Sequence, residues 1–331
     1  MVSAAGRGVA AWSSAAWRAA AVAWLDERLA AVGRERTGEV AQPHLRPWAT
    51  VLRAPTADGP VWMKATGPGT AAEVPLYGVL ARAVPERVLI PLAADAERGW
   101  VLLPDGGPTL GERADGRERA ERLAGALARY GELQRVLAPR VGELLAIGLP
   151  DMRPAVMPER FRDALAAVRA EPGGAAVAVR VAALEGTVAG WCERLAASRM
   201  GASLDHNDLH AWNVLGDEHD PRYYDWGDSV VAHPFAAALV PLGQVAPEVG
   251  DAGVARARDR YLDAFADLAP RTELRETLEI ACRVAKVARV LTWERALRAA
   301  REQGEPVDPA YAGATVRTLS AVLDESYLGG A

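Results

Sequence analysis

The sequence is poor in the residues that mark several classes of protein. It has only two cysteines among 331 residues, Cys192 and Cys282, each alone in a helix-like segment, which excludes a disulfide scaffold. Aromatic residues make up 6% of the chain, and no run of about 18 apolar residues occurs, so we expect no membrane span. The formal charge of −5 provides no basic field for nucleic acid. We therefore expect a cytoplasmic protein without a nucleic-acid partner.

The composition that remains is typical of a helix-rich globular protein, with half of the residues apolar and 24% charged. Arg18 interrupts the apolar N-terminal run, which argues against a signal peptide. Apolar residues there recur at helical spacing instead: Trp17, Ala20, Ala21, Trp24, Leu25 and Val32. The pattern predicts an N-terminal helical extension over 1–37 that packs on the rest of the protein.

Short β-like runs separated by turn residues follow this helix. We predict four strands, Trp48–Arg53, Val61–Thr66, Val88–Ala93 and Gly99–Leu103, with one helix over 71–83 between the second and the third. This order describes a small antiparallel sheet that carries a single helix. Residues 38–105 are therefore predicted to form a small mixed lobe.

From Asp105 onward the pattern is almost wholly helical. Helix-like segments lie near 117–147, 158–170, 175–199, 251–268, 272–303 and 309–326. Only the stretch from Leu204 to Phe235 interrupts them. The sequence thus predicts an α+β fold in which residues 106–331 form a large helical lobe.

The interrupting stretch carries a dense polar motif. It reads LDHNDLHAWNVL from Leu204 to Leu215 and continues with YYDWGD from Tyr223 to Asp228. A predicted hairpin between the two parts would return Asp225 to the loop. A single Asp or His in a turn is usually a local hydrogen-bonding residue, but the combination is specific.

This motif resembles the catalytic loop and metal-binding strand shared by protein kinases and aminoglycoside phosphotransferases, in the form typical of the latter. The resemblance implies a two-lobed protein-kinase-like fold that uses ATP and Mg²⁺. It implies that Asp208 is the catalytic base and that Asn213 and Asp225 bind the metal. Three further polar residues are expected to brace the loop or to contact substrate: His206, His210 and Asp228.

A lysine and a glutamate upstream complete the resemblance. The run WMKA, which ends at Ala65, resembles the strand that carries the phosphate-binding lysine, here Lys64. Glu73 falls on the apolar face of the predicted helix, where a carboxylate without a partner would cost several kcal/mol, roughly. We expect a Lys64–Glu73 ion pair; another acidic residue is the alternative if the helix is set differently.

The segment Trp100–Asp105 resembles the hinge whose backbone binds the adenine edge. Leu103 and Asp105 are accordingly predicted to contact the nucleotide. A buried edge strand that runs into a turn would show the same apolar residues, so this alternative stays open. No glycine-rich loop occurs in the small lobe, and Pro43–Trp48 takes its place.

Two departures argue against a protein kinase. Position 207 is Asn where regulated protein kinases carry an Arg that grips a phosphorylated segment, and the chain after Asp225 has no room for a long activation segment. A small-molecule acceptor is therefore expected, such as a sugar, amino sugar, amino alcohol or aminoglycoside, with Trp293 and Glu294 as candidate acceptor contacts. A catalytically weak nucleotide-binding pseudokinase is the alternative, and the oligomeric state is open.

Overall fold

The computed structural model describes residues 6–305 and 307–329. Within these residues no single helix is both long and apolar enough to cross a bilayer. Two consecutive helices, Gly174–Ala182 and Glu185–Ala196, pass that test of length and composition only as a pair bent by 60°. Both cysteines are buried and free.

The described chain divides into two compact units. The first runs to Gly106 and also contains Arg295–Ala312. The second comprises Gly107–Glu294 and the residues from Gly313 onward. The predicted assignment of an extension, a nucleotide-binding lobe and an acceptor lobe to 1–37, 38–105 and 106–331 stays a prediction.

The first unit begins with two helices, α1 (Val9–Trp12) and α2 (Ala15–Ala31). The hydroxyl of Ser14 caps α2 by accepting a hydrogen bond from the Trp17 amide. The indoles of Trp17 and Trp24, on one face of α2, are buried against Trp100 with ring centroids 6.1 and 5.6 Å away. The expectation for Val32 is wrong, because it follows the end of the helix and is 45% exposed.

An antiparallel sheet of five strands forms the centre of the first unit, in the order β1-β2-β3-β5-β4. Its strands are β1 (Ala41–Arg46), β2 (Ala49–Ala54), β3 (Val61–Thr66), β4 (Ala93–Asp95) and β5 (Trp100–Pro104), and one helix, α3 (Glu73–Ala83), follows β3. One face of the sheet, including Leu52, Met63 and Leu102, is buried in the same apolar core as α2. The predicted small antiparallel sheet with one helix is confirmed.

Two strand predictions in this unit are wrong. The segment Pro43–Trp48, expected to be a loop, mostly belongs to β1, and only Pro47 and Trp48 remain as the turn into β2. Its largely exposed edge position and its proline hide the strand pattern. The strand expected at Val88–Ala93 starts only at Ala93, because Pro91 has no N–H for a ladder hydrogen bond.

The second unit is mostly helical, as predicted. Its helices are α4 (Leu110–Arg113), α5 (Gly116–Leu137), α6 (Val141–Ala146), α7 (Met157–Arg169), α8 (Gly174–Ala182), α9 (Glu185–Ala196), α10 (Leu239–Leu262), α11 (Arg271–Glu302) and α12 (Ala314–Ser320), with the last residues of α11 in the first unit. The predicted helix over 175–199 is two helices. Helix α10 begins twelve residues before the predicted start at 251. The backbone leaves helical geometry at Gly250, which has φ 62°, so the predicted start at 251 coincides with the second segment of α10.

Short strands hold the polar motif among these helices. Strands β6 (Asp151–Met152), β7 (Ser203–Asp205) and β10 (Val230–Ala232) form a sheet in the order β6-β10-β7, and β8 (Val214–Leu215) pairs with β9 (Arg222–Tyr223). The predicted hairpin is thus confirmed. The loop 206–213 connects β7 to β8 and carries most of the candidate site.

Candidate active site

The loop after β7 begins with a left-handed residue. Asn207 has φ 61°, which is uncommon for a residue other than glycine but tolerated by asparagine. Its side-chain Nδ2 donates to Thr292 Oγ1 at 2.6 Å and to the Asp228 carbonyl at 3.3 Å. Its backbone N–H donates to Asp205 Oδ1 at 2.7 Å. These hydrogen bonds fix the backbone immediately before Asp208.

A buried polar network lies at the start of this loop. Gln134 Nε2 donates to the carbonyls of Leu204 and Pro234, both at 2.9 Å. The Tyr261 hydroxyl donates to Gln134 Oε1 at 2.6 Å, and the Tyr130 hydroxyl donates to the Leu204 carbonyl at 3.2 Å. Because unsatisfied buried carbonyls are costly, these bonds stabilise strand β7, from which the loop starts, and the backbone at Pro234.

His206, the first residue of the loop after β7, is wholly buried. Its Nε2 donates to the Tyr224 carbonyl at 3.0 Å, and its ring lies 4.8 Å from that of Trp226. Burial lowers the pKa of His206, so the ring is neutral at neutral pH. The geometry places His206 as a brace between the loop and the strand that leads to Asp225.

Asp208, His210 and Asn213 are in direct contact. His210 Nε2 lies 3.3 Å from Asp208 Oδ2, and Asn213 Nδ2 donates to the Asp208 carbonyl at 3.0 Å. Asn213 Nδ2 also lies 3.3 Å from His210 Nε2. With its nitrogen used in this way, the Asn213 amide leaves Oδ1 as the atom that could bind a metal.

Asp208 is ionised at neutral pH. Burial alone would raise its pKa, but the hydrogen bond from His210 and the positive charge of Arg289 outweigh burial and lower the pKa of Asp208 well below its usual value. His210 responds in the opposite direction: burial favours the neutral ring, but its hydrogen bond to Asp208 raises the pKa of His210. The carboxylate can therefore accept a hydrogen bond from an approaching hydroxyl.

Arg289, from α11, contacts the same carboxylate and was missed in the sequence. Both terminal nitrogens of its guanidinium lie 3.4 Å from Asp208 Oδ1, and one of them also donates to the Asn207 carbonyl. Its side chain is 16% exposed. In sequence it is one arginine among several in a helix, with no motif around it, so no local pattern could have identified it.

The hairpin returns Asp225 to the loop. Val214 pairs with Tyr223, and the Tyr224 amide donates to the Asn213 carbonyl at 3.3 Å, so the residue after Tyr224 lies beside Asn213 along the backbone. Asp225 itself has φ 61° and begins the helical turn Trp226–Asp228. Left-handed backbone at a carboxylate residue often marks a functional position.

An amide oxygen and a carboxylate suit Mg²⁺ chemically. Asn213 and Asp225 are hard oxygen donors, and Mg²⁺ in nucleotide enzymes typically takes one or two protein ligands together with phosphate oxygens and water. Among the residues that the structure describes, no three His, Cys, Asp or Glu side chains gather at metal-binding distance. The donor set therefore fits Mg²⁺ shared with phosphates better than a closed structural metal site.

Asp205, at the end of β7, is a buried acid beneath the loop. Burial raises its pKa to about 7, and the hydrogen bond from the Asn207 amide and the charge of Arg289 offset only part of this effect. Its second oxygen, Oδ2, is buried without a hydrogen-bond partner among the described residues. In the sequence, Asp205 stands out only as part of the motif, and no pattern indicates that its carboxyl group is buried.

In the first unit, the expected ion pair between Lys64 and Glu73 forms. Lys64 Nζ lies 2.6 Å from Glu73 Oε2 and 2.9 Å from Oε1. The Glu73 side chain is wholly buried and that of Lys64 is 13% exposed. Glu73 is the first residue of α3, where a carboxylate also interacts favourably with the helix dipole.

The predicted hinge residues lie next to a tryptophan of β3. Trp62 shares the face of Lys64, pairs with Leu103 across the sheet and donates from Nε1 to Asp105 Oδ1 at 2.9 Å. The guanidinium of Arg53 lies 5.5 Å from the Trp62 ring. Leu103 is buried and Asp105 is exposed. Their contacts with a nucleotide stay predictions.

Trp293 and Glu294 are partly buried residues of α11. The same helix supplies Thr292 and Arg289, which contact the loop directly. Asp228 contributes its backbone carbonyl to the side chain of Asn207. The predicted acceptor role of Trp293 and Glu294 stays a prediction.

Solved structures share this fold at low sequence identity. A macrolide 2'-phosphotransferase, MphH, from Brachybacterium faecium is 18% identical with a TM-score of 0.56, covering 89% of this chain and 97% of its own. A choline/ethanolamine kinase family protein from Mesorhizobium loti is 16% identical with a TM-score of 0.57, covering 93% and 97%. An ethanolamine kinase from Plasmodium vivax is 10% identical with a TM-score of 0.59, covering 88% and 83%.

No protein-family model matches the sequence, and no curated protein matches it. The likeness is therefore one of structure, and it concerns the fold. Since the neighbours include a phosphotransferase and members of the choline and ethanolamine kinases, the sequence resemblance is confirmed at this level. The chain has the α+β fold of these solved structures, with an antiparallel sheet in one unit and mostly helices in the other.

Proposed function

We propose that this protein is an ATP- and Mg²⁺-dependent phosphotransferase that moves the γ-phosphoryl group to a hydroxyl of a small molecule. The observation that carries the proposal is the arrangement around Asp208. An ionised carboxylate lies in contact with His210 on a loop that also places Asn213 beside the backbone of Asp225. Phosphoryl transfer needs such a proton acceptor next to oxygen ligands for a divalent cation.

The proposal gives each residue one task. Asp208 orients the acceptor hydroxyl and takes its proton as the oxygen forms a bond to the γ-phosphorus and the bond to the leaving ADP oxygen breaks. Asn213 and Asp225 hold Mg²⁺, which neutralises phosphate charge when bound. Lys64, fixed by Glu73, binds phosphate oxygens. His206 and His210 keep the loop and the carboxylate in place.

The short connection after Asp225 supports a small-molecule acceptor. From Asp225 the chain passes through β10 and a helical turn, Pro234–Ala238, directly into α10. This connection leaves no long segment on which a protein substrate could lie. The fold neighbours are named for action on macrolides and on choline or ethanolamine. We therefore propose a sugar, amino sugar, amino alcohol or hydroxylated antibiotic as acceptor.

The test is a two-stage assay on the purified protein. Mg²⁺-dependent release of phosphate from labelled ATP in the absence of acceptor is expected first, followed by label transfer to one member of a panel of hydroxylated small molecules. Asp225→Asn should remove both activities while the protein stays folded, because the site loses its anionic ligand and keeps its shape. Wild-type protein that binds no nucleotide and hydrolyses no ATP would reject the proposal.

A further inference from the structure

Asn207, the left-handed residue of the loop, is held by its backbone and by its side chain. Its N–H donates to Asp205 Oδ1 at 2.7 Å, and its carbonyl accepts from Arg289. Its side-chain Nδ2 donates to Thr292 Oγ1 at 2.6 Å and, over a longer distance of 3.3 Å, to the Asp228 carbonyl. Asn207 is only 5% exposed, so water does not readily replace a lost partner.

The hydroxyl of Thr292 is oriented to accept the hydrogen bond from the Asn207 side chain. Thr292 is buried in α11, where its Oγ1 donates to the Ala288 carbonyl, one turn earlier, at 3.1 Å. Because its proton is used within its own helix, the oxygen presents a lone pair to Asn207 Nδ2. The β-branched side chain also restricts rotation about χ1, so the helix fixes the position of the acceptor oxygen.

The position of the Asp208 carboxylate depends on the backbone of Asn207. A residue other than glycine is strained at φ 61° and relaxes to a negative φ when it is not held there. Such a change at Asn207 rotates the peptide bond that leads directly to Asp208. A displacement of about 1 Å at a reacting group can lower turnover about 10²-fold.

We propose that Thr292 is a positioning residue of the loop, which orients Asp208 by holding the side chain of Asn207. The inference rests on the proposed function, since it takes Asp208 as the proton acceptor of the reaction. Thr292 contacts the loop through Asn207, on the side of Asp208 away from Asn213 in the sequence. Loss of its hydroxyl should therefore lower kcat more than it changes the affinity for ATP.

The test compares Thr292→Val, which removes the hydroxyl and keeps a branched side chain, with Thr292→Ser, which keeps the hydroxyl. The valine variant should lower kcat for phosphoryl transfer about tenfold, with the ATP dissociation constant changed by less than about twofold. The serine variant should stay within about threefold of wild type, because Nδ2 keeps its acceptor. Thr315→Val is the matched control, because it removes another buried hydroxyl of the same unit, one that donates to Glu171. Its kcat should remain within about twofold of wild type.

A double variant tests whether Thr292 acts through Asn207. The change Thr292→Val should cost little further kcat in an Asn207→Ala background, because the side-chain amide that it serves is already absent. Thr292→Ala is a second variant without the hydroxyl and should show the same loss of kcat if the valine packs poorly. Near wild-type kcat in folded Thr292→Val, an equal loss in the serine or Thr315 variant, or an additive loss in the double variant would overturn the inference.

Hydrogen exchange provides a readout that does not depend on activity. In Thr292→Val the backbone amides of 205–209 should exchange about tenfold faster than in wild type, whereas Thr315→Val should leave their exchange unchanged. Unchanged exchange of these amides in Thr292→Val would reject the positioning role, whether or not the protein turns over ATP. Absence of Mg²⁺-dependent ATP turnover in wild type would count separately, against the proposed function.

Discussion

Lys64 and Asp208 are both charged side chains with proposed roles in phosphoryl transfer, but the protein holds them in different ways. Lys64 stands on a regular strand and is held by one buried carboxylate, Glu73, at the start of a regular helix. Asp208 stands on irregular backbone next to the left-handed residue Asn207. Its support is spread over side chains from α5, α10 and α11.

The two arrangements predict different effects of mutation on stability and on turnover. One missing partner in the Lys64–Glu73 pair leaves a buried charge uncompensated, which acts directly on folding. Around Asp208, in contrast, most of the hydrogen bonds hold the backbone of the loop and do not involve the carboxylate itself. Its removal should leave that backbone in place, so chemistry and stability should separate at Asp208 and stay coupled at Lys64.

The largest expected effect tests the Asp208 side of this comparison. Asp208→Ala should lower turnover by about 10²-fold or more, as loss of a positioned general base does. The ATP dissociation constant should change little. The melting temperature should fall less than in Lys64→Met, because Arg289 loses a carboxylate but keeps the Asn207 carbonyl, and the hydrogen bonds of the Asn207 and Asn213 side chains remain. One preparation should be measured for all three quantities. Near wild-type turnover in a folded protein would remove Asp208 from the site.

The second prediction concerns the contribution of the Lys64–Glu73 ion pair to stability. Lys64→Met should lower the free energy of unfolding by about 3 kcal/mol, because Glu73 is left as a buried and unpaired carboxylate. The double variant Lys64→Met with Glu73→Leu should recover most of that loss, although neither variant should bind ATP normally. Urea unfolding of the two single variants and the double variant measures the coupling. Additive losses would show that the pair does not act as a unit.

A third prediction uses pH to examine the support beneath Asp208. Because burial raises the pKa of Asp205 to about 7, the folded state holds this proton up to a higher pH than the unfolded chain, with a reference value of 3.8. Stability from this group is therefore present at low pH and lost as pH rises toward 7. Asp205→Asn, a neutral isostere, should gain about 2 kcal/mol relative to wild type between pH 5 and 7.

His233 provides an internal check on that measurement. Burial lowers its pKa to about 3, so its contribution is lost as pH falls below the unfolded value of 6.5, in the opposite direction to Asp205. Since both proteins keep His233, its effect cancels in the difference between wild type and Asp205→Asn. A difference in unfolding free energy that is independent of pH would show that Asp205 titrates normally in the folded protein.

The same contrast explains what could be predicted from the sequence. Lys64 and Glu73 lie nine residues apart on a strand and a helix, and their pairing was predicted from the resemblance together with the apolar helix face on which Glu73 falls. Asp208 was identified from a motif, and a motif does not show which residues elsewhere in the chain hold its members in place. Gln134 and Arg289 reach the loop from about 70 to 80 residues away in sequence, and no periodicity records such contacts.

The misassigned elements have local causes. Proline hid the exposed edge strand β1 and shortened the strand before β5, while Pro247 and the break at Gly250 left only the second segment of α10 recognisable as a helix. In each case a residue that usually ends an element lies inside one or next to it. Tertiary packing decided the outcome there, and a single sequence does not contain that information.

The smallest expected effect isolates backbone strain at Asn207. Asn207→Ala loses the hydrogen bonds of Nδ2 and keeps a side chain at φ 61°, whereas Asn207→Gly loses the same bonds but adopts this φ freely. The glycine variant should therefore be more stable than the alanine variant by about 1 kcal/mol, the usual cost of a left-handed residue. Chemical denaturation of both proteins measures the difference. Equal stabilities would mean that the loop relaxes out of the left-handed region, in which case its backbone does not position Asp208.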